Sequence, residues 1–325
     1  MFFGAYVFRM PGLRHVARAS GIECFSSLSH ALSRPSSLAF ISRLLGRFSG
    51  LYRPRRLSLV ALDSMPVSLP DSQRHNCPKL NNQTAGCGIL WAFDLDCPKG
   101  QCPVQVLGHA TKGGWIDSVL MREVELESNG PVYLMDAGFR SYDLCDKWLN
   151  QAVNFIMRLP YSGLRYEVIR SLSKPRGNIE LDAIVRLGAQ SRRGKLPIVR
   201  LVIVRHEKKK IVLVTGLFSW PAKKVSDSYK RRWEIEGIHK VLKDTIGLAH
   251  LYNFRLEGIL FLTYCALLLA VLLFLSEDKI SSETLPTIFR SCIQKLRREL
   301  LIPDLWKRNT VTKHYRKRRR TNANL

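Results

Sequence analysis

Between residues 229 and 243 the chain reads YKRRWEIEGIHKVLK. Wound as an α-helix at about 100° per residue, this stretch brings Tyr229, Arg232, Glu236 and Lys243 within about 60° of one another. Ile235, Ile238, Val241 and Leu242 fall on the opposite side. One face is built to be buried, and the other lines up a phenol, a guanidinium, a carboxylate and an ammonium. These are group types on which metal-assisted chemistry at phosphate draws. A charged outer face is also what amphipathic helices ordinarily carry. Spacing alone therefore leaves both readings open, although a solvated stripe has no need of a tyrosine.

The elements that would position such a face can be read on either side of it. SLVALD (58–63) is a short β-type run that ends on Asp63. GILWAFDL (88–95) and PVQVLGH (103–109) read as two further strands, split by the turn CPKGQC. Residues 115–128 read as a helix, with Ile116, Val119, Leu120, Val124 and Leu126 largely on one side. PVYLMD (131–136) is a buried strand ending on Asp136; a helix follows over 140–150, then a strand, VNFIMRL (153–159). From about 160 to 225, YEVIRSL, IELDAIVRL, PIVRLVIVRH and KIVLVTGL are β-rich and read as an inserted small sheet. Arginines alternate with apolar residues there, which suits a face turned to solvent or to phosphates. A long helix is expected over 224–245, its start marked by Ser226 and Asp227. An apolar helix (258–275) and another over 281–300 follow, and two short helices are expected near 11–20 and 25–48.

The 325 residues are enough for one substantial core, and the apolar content argues against global disorder. The charge is unusual: 51 Lys and Arg against 26 Asp and Glu give +25, with a pI near 10.1. Such a surplus favours a polyanionic partner, because each basic group set against a phosphate releases condensed counterions. Nucleic acid fits best; a ribosomal site or an anionic membrane surface are the blander readings. Eight cysteines stand at 24, 77, 87, 97, 102, 145, 265 and 292 with no C-x-x-C pair. His75 and Cys77 lie near Cys97 and Cys102 in sequence, but structural zinc sites show two close ligand pairs, so free thiols in a reducing compartment are expected.

Two segments admit other readings. Residues 1–62 hold nine Arg, no Lys and a single acid, Glu23, like an organellar transit peptide; a basic DNA-touching arm is preferred. GILFLTYCALLLAVLLFL (258–275) is at the lower limit of a membrane span. A buried core helix gives the same pattern.

Tyr229, Arg232, Glu236 and Lys243, at three fixed gaps, match the Y-R-E-K signature of the insertion sequence four family of bacterial transposases, which the chain resembles. LVTGL (213–217), RRWEIE (231–236) and YLMDAGFRS (133–141) are also similar to that family, over about residues 58–250. The resemblance implies an α/β fold, a ribonuclease H-like core interrupted by a β-rich insertion, with helical N- and C-terminal regions. It divides the chain into a short basic N-terminal region (1–57), the first part of the core (58–159), the insertion (160–225), the rest of the core with the glutamate helix (226–300) and a basic tail (301–325). It implies three catalytic, metal-binding acids: Asp63, Asp136 and Glu236. The family usually has Asp-Gly-Thr where this chain has Asp63, Ser64 and Met65, and Asp94 and Asp96 compete for the first position.

The implied activity is Mg²⁺-dependent hydrolysis at transposon ends and strand transfer into target DNA. Two Mg²⁺ ions about 4 Å apart activate the nucleophile and relieve charge on phosphorus, and Mn²⁺ can substitute. Arg232, Lys243, Arg158 and Lys240 would hold phosphates, with Tyr229 hydrogen-bonding one near the cut; His239 is as readily structural as functional. The strand KKIVLVT has Ile211 and no aromatic where some relatives stack an unpaired base, so any stacking role passes to Trp220 or is absent. Implied partners are double-stranded DNA and a second copy of the chain, in the cytoplasm at the nucleoid, with no membrane. The other reading is a catalytically inactive or domesticated remnant that only binds DNA; a membrane-associated protein is third.

Overall fold

A computed structural model describes residues 24–49, 51, 53–69, 85–97, 102–110, 121–122, 124–188, 196–207, 209–236 and 255–276. The expected helices near 11–20 and over 281–300, His75 and Cys77, and His239, Lys240 and Lys243 lie outside these residues.

Nine strands form one sheet. They are β1 (Leu59–Leu69), β2 (Ala85–Asp94), β3 (Cys102–Ala110), β4 (Val132–Met135), β5 (Asn154–Leu159), β6 (Tyr166–Ser171), β7 (Ile179–Leu187), β8 (Ile198–His206) and β9 (Lys209–Thr215). Their order is β3-β2-β1-β4-β5-β9-β8-β7-β6. β1, β4 and β5 are parallel neighbours, and all other pairings are antiparallel. The β-rich stretch after residue 160 is therefore not a separate small sheet. Its last strand, β9, pairs with β5, so the meander β6–β9 extends the same sheet.

Around the sheet lie α1 (Phe25–Leu32), α2 (Pro35–Ser49), α3 (Tyr142–Asn150), α4 (Ala222–Lys230) and α5 (Leu256–Ser276). The single helix expected over 25–48 is broken at Ser33 and Arg34. Pro35 disfavours helical backbone at the residue before it and suits the first position of a new helix. α3 begins where Ser141 caps it, its hydroxyl accepting from the Leu144 amide at 3.3 Å.

One face of the sheet is sealed by a single hydrophobic cluster. Val60 and Leu62 of β1, Tyr133 and Met135 of β4, Phe155, Met157 and Leu159 of β5, and Val212 and Val214 of β9 all contribute to it, with Leu144, Cys145 and Trp148 of α3 packed over them. These positions alternate along each strand, as the two-residue period of a pleated sheet requires. Met121, Val124 and Leu126 belong to the same cluster. Of the helix expected over 115–128, residues 115–120 and 123 lie outside the described residues, while 121–122 and 124–127 are turn and irregular chain. Val124 and Leu126 are buried while Glu125 is exposed, and an alternating pattern of this kind serves an extended segment as well as a helix face.

α5 contains the apolar stretch, and protein covers it. It packs against α1, α2 and β3, and Ile259, Leu260, Leu262, Leu267 and Leu268 are buried there. This is the arrangement of a core helix.

Candidate active site at the strand ends

Asp63, Asp136 and Arg158 form a row because of strand register. Ala61 of β1 pairs with Leu134 of β4, so two steps on Asp63 comes opposite Asp136. Met135 pairs with Met157 of β5, so one step on Asp136 comes opposite Arg158. The alternation that sends Leu62, Met135 and Met157 into the hydrophobic cluster sends these three to the other face. Neighbouring strands are about 4.8 Å apart, so the row brings two carboxylates and a guanidinium together at the ends of β4 and β5 and on β1. The Asp136 carboxylate is fixed by the Gly138 amide, which donates to it at 2.7 Å as the chain turns into a short 3₁₀ segment, Ala137–Phe139. The Asp63 carboxylate accepts from the Ser64 amide at 2.9 Å.

α4 and a 3₁₀ turn, Arg231–Trp233, lie over this row and lead into a further helical turn, 234–236. α4 begins at Ala222 after Pro221 rather than at Ser226 and Asp227; Asp227 instead pairs with Lys223 and Lys230. The 3₁₀ turn also interrupts what the periodicity predicts as one α-helix. Among the described residues, the polar face departs from the expected character. Ile235 is buried as predicted, but Tyr229 and Arg232 are also buried, at 3% and 6% exposure. Glu236 is the exposed member, its side chain 68% accessible.

Arg232 connects the acids. Its guanidinium lies 3.9 Å from Asp63 and 4.0 Å from Glu236, and its Nε has no hydrogen-bond partner. The Tyr229 hydroxyl is likewise buried without a partner among the described residues. Burial pushes its pKa up; the adjacent Arg232 guanidinium, by its charge and by hydrogen bonding too poorly aligned to satisfy the hydroxyl, and the charge of Arg158 act against that shift, and Asp136 acts with it. Tyr229, Arg232, Arg158 and Asp136 thus share one electrostatic neighbourhood, joined through Arg232 to Asp63 and Glu236. Among the described residues no three His, Cys, Asp or Glu side chains are gathered closely enough to hold a metal ion.

The competing acids are committed elsewhere. Asp94 is fully buried and faces Val60, three residues before Asp63, and its carboxylate accepts from the Asp96 amide. Asp96 accepts from the Leu59 amide at 2.8 Å and pairs with Arg231, which also donates to the Leu95 carbonyl. Sequence reasoning missed this role of Arg231, which ties the 3₁₀ turn to the start of β1. It also missed Arg200 on β8, expected on a solvated face but buried at 2% exposure against Asp182. Arg170, Arg186 and Arg205 are exposed as that pattern suggests, and nothing in the strand sequence sets Arg200 apart from Arg186, which also has an apolar residue on either side. Trp220 lies under Lys224, whose ammonium is 3.9 Å from the ring centre.

A cleft of about 370 Å³ opens between the end of β5 and the start of α3, lined by Arg122, Arg140, Tyr142 and Pro160 among others. Cys97, Cys145 and Cys265 are buried free thiols and Cys24 an exposed one.

A family model described as a transposase DDE domain matches residues 54–271. The chain belongs to that family. The match takes in Asp63, Asp136, Arg158, Tyr229, Arg232 and Glu236. A DDE domain implies a ribonuclease H-like fold, and domains of this family generally use a divalent metal ion. A Sinorhizobium fredii protein carrying a transposase name, y4zB, is 27% identical over 205 residues, covering 60% of this chain and 54% of its own. The transposase InsG of insertion sequence element IS4 from Escherichia coli is 26% identical over 213 residues, covering 60% of this chain and 46% of its own. The chain spans about half the length of the curated relatives it matches.

Proposed function

We propose that this chain is a DNA transposase that hydrolyses phosphodiester bonds at the ends of its element and joins the freed 3′-hydroxyls to target DNA, with Asp63, Asp136 and Glu236 as its acids. The observation that carries the reading is Arg232, buried over the Asp63–Asp136 row and within 4.0 Å of Glu236. Strands β1 and β4 supply two carboxylates in register, and the helical segment after β9 supplies the third. The strands β6–β9 would then be the insertion within the core, between β5 and the glutamate helix.

Asp63 and Asp136 fit a hard divalent ion. Both are oxygen donors, they stand on adjacent strands, and Mg²⁺ commonly takes one or two carboxylates and completes its shell with substrate phosphate and water. Glu236 is the third oxygen donor, held at Arg232. A bound pair of Mg²⁺ ions would supply Lewis acidity at phosphorus and a deprotonated nucleophile. The chain's own groups would bind and orient. Arg232 and Arg158 present cations beside the acid row, where a backbone phosphate between them is neutralised and fixed. The Tyr229 hydroxyl, buried without a well-formed hydrogen bond among the described residues, would donate to a phosphate oxygen. Lys240 and Lys243 would extend the same cationic track. The net charge of +25 would draw double-stranded DNA to the protein and make binding strongly salt-dependent. Two copies would act on paired ends.

The test is to incubate purified protein with Mg²⁺ and DNA carrying the gene's flanking ends, with Glu236→Gln in parallel. End-specific 3′ nicking that the variant loses supports the reading. Binding of those ends by both proteins with cleavage by neither overturns it in favour of a DNA-binding remnant.

A further inference from the structure

We propose that Arg200, oriented by Asp182, is a positioning residue that sets the placement of the segment bearing Tyr229, Arg232 and Glu236; the inference rests on the transposase reading for its catalytic consequence. Arg200 is on β8 and Asp182 on β7, both in the meander that continues the sheet beyond β9. Nothing in either residue's surroundings touches the acid row directly.

The geometry is that of a clamp. Arg200 Nε donates to Asp182 Oδ1 at 2.8 Å and Nη2 to Oδ2 at 3.0 Å, a two-pronged fork. The Ser173 hydroxyl donates to Asp182 Oδ2 at 2.8 Å and fixes the carboxylate from its other side. That leaves Nη1 directed at the connection between β9 and α4. It donates to the carbonyl of Leu217 at 2.8 Å and to that of Trp220 at 2.5 Å, with the Phe218 carbonyl at 3.4 Å. α4 starts two residues after Trp220. Thr215 holds the other end of the connection, its hydroxyl donating to the Phe155 carbonyl and accepting from the Leu217 amide. The path from the last strand into the catalytic segment is therefore fixed at both ends, once to β5 and once to β7 and β8.

The pair is poorly explained as a stability device. Taking two charges out of water costs several kcal/mol per ion, and well-packed apolar replacements of a buried pair are often neutral or stabilising. A planar guanidinium, by contrast, can bind a carboxylate on one side while serving separate carbonyls on another, which an ammonium on a flexible stem cannot do. The arrangement specifies where a loop goes. Tyr229, Arg232 and Glu236 follow that loop within one short run of chain, so its position is passed on to the groups over Asp63 and Asp136.

The test uses the double variant Arg200→Met with Asp182→Leu, which removes both charges together, and Arg200→Lys, which keeps the charge without the fork. Thermal unfolding establishes that each variant is folded. Two quantities are then read on the full chain: amide hydrogen exchange over residues 217–236, and the rate of Mg²⁺-dependent end cleavage at saturating DNA beside the dissociation constant for the same DNA. The expected result is faster exchange over 217–236 with β7 and β8 still protected, and a cleavage rate lowered about 100-fold with binding essentially unchanged, since a misplacement of about 1 Å costs this much. Unchanged exchange over 217–236 in folded double variant overturns the proposal. So does a parallel loss of binding, cleavage and unfolding temperature, which is what a merely structural pair would give. Should the unaltered protein fail to cleave, the transposase reading falls, and the exchange measurement still decides whether Arg200 places the segment.

Discussion

Replacing Tyr229 by phenylalanine should make the free protein more stable while making it a worse enzyme. The side chain is 3% exposed, and its hydroxyl has no hydrogen-bond partner among the described residues. A buried polar group left unpaired costs about 1–3 kcal/mol, and the lower end applies here because the Arg232 and Arg158 guanidinium groups lie close enough to offset part of the desolvation. Phenylalanine keeps the ring and fills the same space, so packing is preserved while the penalty is removed. A gain of about 1 kcal/mol raises the midpoint of unfolding by roughly 2 °C in a chain of this size. Differential scanning calorimetry without DNA reads that shift; Mg²⁺-dependent cleavage at saturating end DNA reads the lost donor, which is worth about tenfold or more if it meets a phosphate in the transition state. A variant less stable than the parent would refute the reasoning, because the hydroxyl would then be satisfied in the free protein and would not be held ready for a phosphate.

Glu236→Gln should abolish cleavage and leave the unfolding free energy within about 0.5 kcal/mol, since the side chain is mostly exposed; a large loss of stability would contradict that placement. Asp96→Ala should destabilise by about 1–3 kcal/mol in urea titration by orphaning the Leu59 amide and Arg231, while retaining measurable cleavage, whereas Asp63→Asn should eliminate cleavage. Trp148→Ala should cost about 3–5 kcal/mol, because its fully buried ring fills the cluster beneath α3. Among the described thiols, Cys24 should alkylate first. Hydrogen bonds from Ser26 and Ser27 lower its pKa to about 6, so it is largely thiolate at pH 7, whereas burial raises Cys145 and Cys265 to about 12 and leaves them unreactive until unfolding. Iodoacetamide labelling at pH 7 and pH 5 followed by mass spectrometry checks this, with Cys24 expected to slow at the lower pH as its thiolate is protonated.

The strands were legible because they carry their own punctuation. PVYLMD and VNFIMRL are short, uniformly apolar runs bounded by turns, and their lengths and ends come within a residue or two of β4 and β5. The neighbourhood of Tyr229, Arg232 and Glu236 was legible from spacing, since three or four residues make one helical turn whether or not its hydrogen bonds tighten. Burial was not. Periodicity separates two faces but does not say that both are covered, and here Tyr229 and Arg232 are buried on the side that spacing left to solvent. The last part of the helix expected over 115–128 differs for a related reason: Val124 and Leu126 satisfy an alternating pattern as well as a helical one. Arg200 could not be found at all from its strand, because whether an arginine on a β-strand meets water or an aspartate depends on residue 182, whose pairing is a property of the folded sheet.

A single strand pair joins the meander to the rest of the sheet. β5 meets β9 through four residue pairs, Ile156 to Leu159 against Thr215 to Val212, whereas β6 to β9 are linked to one another by successive connections between sequence neighbours. A meander of that kind closes small loops and can form early, while the β5–β9 contact must wait for a chain segment more than fifty residues downstream. During synthesis the outer edge of β5 therefore emerges well before its partner, bearing the backbone groups that later pair with β9. The segment carrying Glu236 lies beyond β9 in the chain and is synthesised after the strand that caps this edge. On the proposed assignment of the acids, the third carboxylate is thus made only after every described strand of its scaffold.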